Sequence, residues 1–300
     1  MNNVRILIFV LVALLIFSFL ICSQAAFAQA ESIPTPVLQI KADQPIGKVS
    51  PTLYGLMTEE INYSYEGGLY SELIANRTFN SASNEMRFWS AVGSATYSLD
   101  TGMPLNNALT ASMKLDASNA GNGSPTGIAN SGYWGIPVRR NTTYHASFYA
   151  RSTNGFSGPL TVSLESADGK TLYAMARVDG LAADWQKFDA TLTTKNVKSS
   201  KNNIFKITTT TPGIIWLQQV SLFPPTFKNR PKGNRPDLMN LLDEMHPAFL
   251  RLPGGNYLEG RTIAERFDWK KTVGPIEQRP GHESPQMAWV CWNIWNGAKT

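Results

Sequence analysis

The sequence predicts a chain of two characters, α/β plus all-β: the incomplete N-terminal part of a (β/α)8 barrel interrupted by an antiparallel jelly-roll β-sandwich. Three observations predict it. Residues 52–58 read as a buried strand, and helical periodicity follows at 69–76, where Leu69, Leu73 and Ile74 share a face. From Trp89 to Phe223 the pattern changes to short alternating runs separated by turn residues. After Pro224-Pro225 a helical period and a short apolar strand return. Strand, helix, insertion, helix, strand is how an α/β barrel opens when a guest domain splits its first connection.

Taken in order, residues 1–28 form a secretory signal. Arg5 supplies one positive charge, residues 6–21 are almost unbroken apolar, and Ala26-Phe27-Ala28 offers small residues for cleavage before Gln29. The apolar run is shorter than the ~20 residues a spanning helix needs. Bulky Ile21 ahead of Cys22 argues against a lipoprotein. The expected destination is the periplasm or the exterior, with no membrane association after cleavage.

Residues 37–80 carry the start of the barrel: a short alternating strand at 37–41, a turn at Pro45-Ile46-Gly47, and the buried strand ending at Glu59-Glu60. Residues 85–225 form the sandwich. Tyr144, Ala146, Phe148 and Ala150 alternate with polar neighbours, as do Leu160, Val162 and Leu164, and Phe188, Ala190 and Leu192. Ala167-Asp168-Gly169-Lys170 is a hairpin turn between two such runs. Residues 230–284 continue the barrel. Pro236 takes an early helical position; Leu238, Leu241, Leu242 and Met245 make one apolar face; Pro247 ends the helix; residues 248–252 form strand two.

Composition excludes several classes. Of 300 residues 43% are hydrophobic and 16% charged, which suits a globular chain and not a disordered one. The net charge of +5 is scattered, with no basic block beyond a doublet, so nucleic acid is not expected as a partner. Cys22 and Cys291 cannot define a disulfide framework, and three scattered histidines suggest no metal and no cofactor.

Barrel chemistry collects at strand ends. Two are visible: Glu59-Glu60, and the stretch from Arg251 to Asn256. A carboxylate and a guanidinium there could clamp the hydroxyls of a small polar ligand, or form an ordinary ion pair. Glu59 and Glu60 point to opposite faces and cannot act as a catalytic pair. Gly254-Gly255 is a tight turn or a close backbone approach. In the sandwich, Tyr133 and Trp134 are the candidate ligand-stacking aromatics, with core packing as the alternative for Trp134. Trp185 and Trp216, lying in or beside alternating strands, belong to the core.

Specific runs carry a family resemblance. "SPTLYGLMTEEINYSYEGGLYSELIANRTF", then "FLRLPGGNYLEG" and "WKKTVGPIEQRPGH", resemble the opening of the family 51 glycoside hydrolases, the α-L-arabinofuranosidases. The insert, with "GYWGIPV" and "WLQQVSLFP", resembles a carbohydrate-binding module of the CenC type. The resemblance implies that Glu59 contacts the bound sugar, that Arg251 braces the floor of the site, and that Asn256 touches substrate. It also implies that Gly254 and Gly255 let backbone approach. It further implies retaining hydrolysis of arabinofuranosyl side chains on plant polysaccharides such as arabinoxylan or arabinan. Two glutamates about 5 Å apart act as acid/base and nucleophile in that chemistry. In the family both come from later strands, beyond this C-terminus, so no catalytic residue is assigned and this fragment alone is expected to be inactive. The alternative class is a non-catalytic secreted polysaccharide-binding module.

The C-terminus departs from that pattern. Residues 287–300 read "MAWVCWNIWNGAKT". Back-translated and shifted by one base, Met287-Ala288 and Trp289-Val290 force glycine codons, and Trp292-Asn293 and Trp295-Asn296 force glutamate. The shifted frame can spell Asp-Gly-Met-Gly-Leu-Leu-Glu, the segment the family has here. Residues 285–300 are therefore expected to be a frameshifted tail, with Trp289 and Cys291 accidental.

Overall fold

The structure is a computed structural model. It describes residues 11, 13–14, 35–59, 63–79, 86–121, 123–156, 158–251, 262–264, 266 and 268–280. Most of the signal segment 1–28, the tail 285–300, Glu60, Gly254, Gly255 and Asn256 lie outside these. The chain divides into two compact units, Met1–Val49 and Ser50–Thr300.

In the first unit the strand expected at 37–41 does not form. Residues 35–41 are irregular, and Val37, Leu38 and Ile40 are exposed. Alternation alone makes no strand; a ladder partner must satisfy its amides.

The second unit is dominated by a sandwich. Its strands are β2 (Trp89–Val92), β3 (Thr96–Asp100), β4 (Ser112–Asp116), β5 (Thr126–Asn130), β6 (Thr143–Ser152), β7 (Leu160–Ser166), β8 (Leu172–Val178), β9 (Gln186–Thr193), β10 (Asn203–Thr209) and β11 (Ile214–Phe223). They form two five-stranded antiparallel sheets, ordered β2-β5-β10-β7-β8 and β3-β4-β11-β6-β9. The period of two decides which side chains enter the core. Along β6, Tyr144, Ala146, Phe148 and Ala150 are buried while their neighbours are less so. They meet Leu160, Val162 and Leu164 of β7 and Phe205 and Ile207 of β10 in one apolar cluster. The predicted hairpin is present between β7 and β8: Gly169 takes φ +70°, and Asp168 accepts from the Ser166 hydroxyl at 2.6 Å and the Lys170 amide at 3.1 Å. Trp89 and Trp216 are buried, Trp185 only partly.

β11 is buried along nearly its whole length, because both of its faces and both of its edges are occupied. Its first half pairs with β4 on one side and β6 on the other. Beyond Leu217 the β4 side is taken over by residues 72–79. Leu73 N–H donates to Leu222 O at 3.0 Å, and Val220 N–H donates to Arg77 O at 3.0 Å. The β6 register shifts between Gln218 and Ser221, a bulge in which Gln219 has φ +51°. The bulge turns Gln218 toward Thr78 O, 3.1 Å, and Gln219 toward Ile276 O, 3.2 Å. The helix expected at 69–76 is accordingly absent. The Leu73 and Ala75 amides go to the sandwich, to Leu222 O and the Asn130 side chain, the Ser71 amide to Gly233 O, and a helix would forfeit those bonds.

Around the sandwich lie β1 (Leu56–Met57), helix α1 (Pro236–Glu244) and β12 (Leu250–Arg251). α1 begins where Pro236 predicts, but buries none of its residues, and Leu241 is exposed. Among the described residues no helix is long and apolar enough to cross a membrane.

Asp100 supplies a pH test of the sandwich. It accepts from Trp216 Nε1 at 2.8 Å and from the Gly102 amide at 2.7 Å. The Trp216 hydrogen bond, chiefly, holds its carboxyl below the usual value. A depressed folded-state pKa means stability present above the unfolded carboxylate value of about 3.9 and lost as pH falls through the folded value. Asp100→Asn is expected to flatten the loss of urea resistance below about pH 4.

Candidate functional site

Two strand ends lie side by side. β1 and β12 pair in parallel, Leu56 opposite Leu250 and Met57 opposite Arg251. The ladder extends outward: Ala248 N–H donates to Tyr54 O at 2.9 Å, Leu56 N–H to Phe249 O at 3.0 Å, and Thr58 N–H to Arg251 O at 3.2 Å. Glu59 therefore follows Thr58 directly at the end where Arg251 finishes its strand. Glu59 is half-buried and its carbonyl accepts from the Ser64 hydroxyl at 2.5 Å. Arg251 is exposed, with Nη1 3.0 Å from the Met57 sulfur. The expected seven-residue buried strand is instead a short one, with Leu56 half-buried and Met57 exposed. β12 is the strand that covers it, and no second layer closes over Met57 among the described residues.

The second candidate region follows β5. Trp134 is 68% exposed, and its indole N–H donates to Gly67 O at 3.2 Å. Tyr63 meets it edge-on at 6.0 Å. Tyr133 is turned the other way. Its ring lies between Tyr63 and Phe88 and against Gly67, where an added Cβ would come within 2.6 Å. Gly67 also has φ +86°, so the close approach and the backbone both require glycine. The Tyr133 hydroxyl donates to Glu66 Oε2 at 3.2 Å; burial first, then the Glu66 charge, pushes it well above the ordinary tyrosine value. Tyr133 is thus a strut and Trp134 a surface.

Beneath them sits a buried charge cluster that sequence reasoning did not single out. Arg77 reaches Glu66 at 3.4 Å and Glu72 at 3.7 Å, and all three are almost fully buried. Glu72 accepts from Leu222 N–H at 2.8 Å, Ile74 N–H at 3.0 Å and the Ser221 hydroxyl. Burial pushes its carboxyl above the ordinary range, opposed by Arg77 and these donors. Burial also works against the Arg77 charge, but Glu66, Tyr70 and Glu72 hold it protonated. The visible signal was an acid and a guanidinium flanking the apolar Leu73-Ile74-Ala75 within "SELIANRTF".

A cavity of about 270 Å³ opens between this cluster, the Trp134 loop and the start of α1. Among the described residues no group of His, Cys, Asp or Glu could hold a metal ion.

Comparison with known proteins covers the stretches of chain that carry both regions. A family model described as a carbohydrate binding domain matches residues 71–213, and one described as the alpha-L-arabinofuranosidase 1 domain matches 241–299. The first begins at Ser71, where the structure shows the chain joining the edge of β11. The second runs through the stretch read as out of frame. A probable alpha-L-arabinofuranosidase A of Aspergillus terreus is 34% identical over 273 residues, 89% of this chain and 42% of that protein. Alpha-L-arabinofuranosidase 1 of Arabidopsis thaliana is 35% identical over 280 residues, 88% of this chain and 40% of its own. An arabinose-bound family 51 α-L-arabinofuranosidase superposes with TM-score 0.72 at 37% identity, covering 80% of this chain and 40% of that one. The chain is homologous, over most of its length, to the family 51 α-L-arabinofuranosidases. It spans about two fifths of the length of these relatives.

The buried cluster makes a mutational prediction. Glu72→Ala leaves two amides and the Ser221 hydroxyl without their acceptor in the interior and Arg77 with Glu66 as its remaining carboxylate, a loss of about 3–5 kcal/mol. Glu72→Gln, which keeps an acceptor for one amide, is expected to cost less. Urea unfolding midpoints of the two variants check the order.

Proposed function

We propose that the chain is the N-terminal portion of a secreted, retaining α-L-arabinofuranosidase that removes arabinofuranosyl side chains from plant polysaccharides such as arabinoxylan or arabinan. On this reading β1 and β12 are the first two strands of a (β/α)8 barrel, and the sandwich is a jelly-roll carbohydrate-binding module inserted between them. The observation that carries it is the parallel register of Met57 with Arg251, which delivers Glu59 and Arg251 to one end of adjacent strands. That is where a barrel binds substrate. Glu59 would accept from sugar hydroxyls, and Arg251 would brace the floor as a fixed cation. Gly254 and Gly255 would admit backbone to the pocket, and Asn256 would read a further hydroxyl.

Two glutamates on later strands would do the bond-breaking. One protonates the leaving oxygen, and the other traps the anomeric carbon as a covalent intermediate that water then releases. Homology to enzymes named α-L-arabinofuranosidase over most of the chain supports this reading. Export follows from the signal-like residues 1–28.

The full gene product is expected to hydrolyse an aryl α-L-arabinofuranoside with retention, read by proton NMR of the first-formed anomer. Glu59→Gln and Arg251→Gln are each expected to lower kcat/KM by about tenfold or more without moving the urea midpoint. Absence of turnover in the full product, or variants with unchanged kcat/KM, would defeat the assignment.

A further inference from the structure

The cavity beside Trp134 has the makings of a second saccharide site, away from the strand ends. Its lining comes from residues 67–73, the Tyr133–Arg139 loop, Lys201 and the start of α1. Its 270 Å³ is close to the ~300 Å³ lower end of small-molecule pockets, room for about one sugar unit with neighbours outside. Three features bear on what would occupy it.

The first is an unused hydroxyl. Ser71 lies on the wall, 1% exposed, and its Oγ has no hydrogen-bond partner. A buried polar atom left unpaired costs roughly 1–3 kcal/mol, which a ligand hydroxyl would recover. The second is the Trp134 ring, held by its N–H on Gly67 O with most of its surface open, a platform for the C–H face of a pyranose. The third is charge. Arg139, Lys201 and Arg235 lie on the lining against one surface carboxylate, Asp237, and Arg235 already holds Asp237 at 2.5 Å. Glu72, the other acid on the lining, is committed to Arg77 and three donors. Among the described residues no carboxylate pairs with Arg139 or Lys201. The Arg139 backbone is also rigid: its N–H donates to the buried Tyr144 hydroxyl at 2.9 Å, and its carbonyl accepts from Thr194 Oγ1 at 2.5 Å.

We propose that this cleft binds a hexuronic acid unit of an acidic plant polysaccharide. The sugar ring lies on Trp134, its carboxylate meets Arg139 and Lys201, and a hydroxyl reaches Ser71. A neutral arabinosyl unit would leave both cations unused. The inference rests on the carbohydrate-binding reading and adds the substrate class to it.

Isothermal titration of the full chain tests it, with a glucuronic-acid-bearing xylo-oligosaccharide and tri-galacturonate as acidic probes, a neutral arabinoxylo-oligosaccharide, and inorganic phosphate. At least one acidic probe is expected to bind about tenfold tighter than the neutral one, and less tightly as salt is raised. Trp134→Ala is expected to weaken both kinds of sugar. Arg139→Gln and the exposed Lys201→Gln are expected to erase the acidic preference and spare neutral binding, with circular dichroism confirming the fold. Equal affinity for acidic and neutral probes overturns the proposal, as does a preference that survives both substitutions. Phosphate displacing the acidic sugar at equal concentration reduces the site to an anion patch and also overturns it. If no saccharide binds while the full gene product still cleaves an aryl arabinofuranoside, the cleft fails and the enzyme reading stands. If acidic sugars bind and hydrolysis is absent, the cleft stands and the enzyme reading fails.

Discussion

A single carboxylate does the work of a missing strand. Beyond the start of β4 at Ser112, the second half of β11 would be left with an open edge, and its amides would have no ladder partner. Glu72 fills that place, accepting the Leu222 amide as a backbone carbonyl would, while Leu73 and Arg77 complete the pairing on either side. A buried carboxylate is costly to desolvate, and only the Arg77 charge with several donors makes it tolerable. The chain from Gly67 to Phe79 is thereby held against the sandwich in a conformation it would not adopt alone. Asn130 supports it from β5, its side chain accepting from Ala75 N–H at 3.3 Å and donating to Ala75 O at 2.9 Å.

That attachment fixes the sandwich to its flanking chain. A binding module on a flexible tether would share few bonds with its flanks. Here the segment that precedes it lies along β11, the bulge at Gln218–Ser221 reaches Thr78 and Ile276, and Asn106 donates to Glu277 O at 2.7 Å. The sandwich and the chain on either side of it therefore form one packed unit. A saccharide held near Trp134 would sit at a fixed place relative to the Tyr63–Arg77 segment, the same stretch that leads back to Glu59.

What was legible in the sequence follows from periodicity. β6 and β9 alternate cleanly because each has one face in the core and one less buried, β7 alternates in residue type although Ser163 on its other face is also buried, and the Asp168-Gly169 turn announces itself by residue type. Pro236 marked the start of α1 for a reason local to the helix. The failures are also physical. Leu69, Leu73 and Ile74 fit a helical face, but the Leu73 amide bonds to Leu222 O, nearly 150 residues away, and the Ala75 amide to the Asn130 side chain, which no local pattern encodes. The strand at 37–41 had the alternation without the neighbour. Of the candidate site, the two strand ends could be placed together from the order of elements. The buried triad of Glu66, Glu72 and Arg77 could not, because charged residues in sequence look the same whether solvated or enclosed.

The two regions differ most in how solvent treats their charges. Arg251 is exposed, so a carboxylate near it gains little in the free protein, of the order of 0–1 kcal/mol. A bound sugar that excluded water would strengthen the same interaction, which means its free energy is available for binding and not already spent on folding. Arg77 stands at the opposite limit. It is dry before any ligand arrives, and its interactions are consumed in holding the β11 edge. On the proposed reading, change at the strand ends would therefore retune recognition with little structural cost. The buried triad leaves no such freedom, since each of its members is the compensation for another.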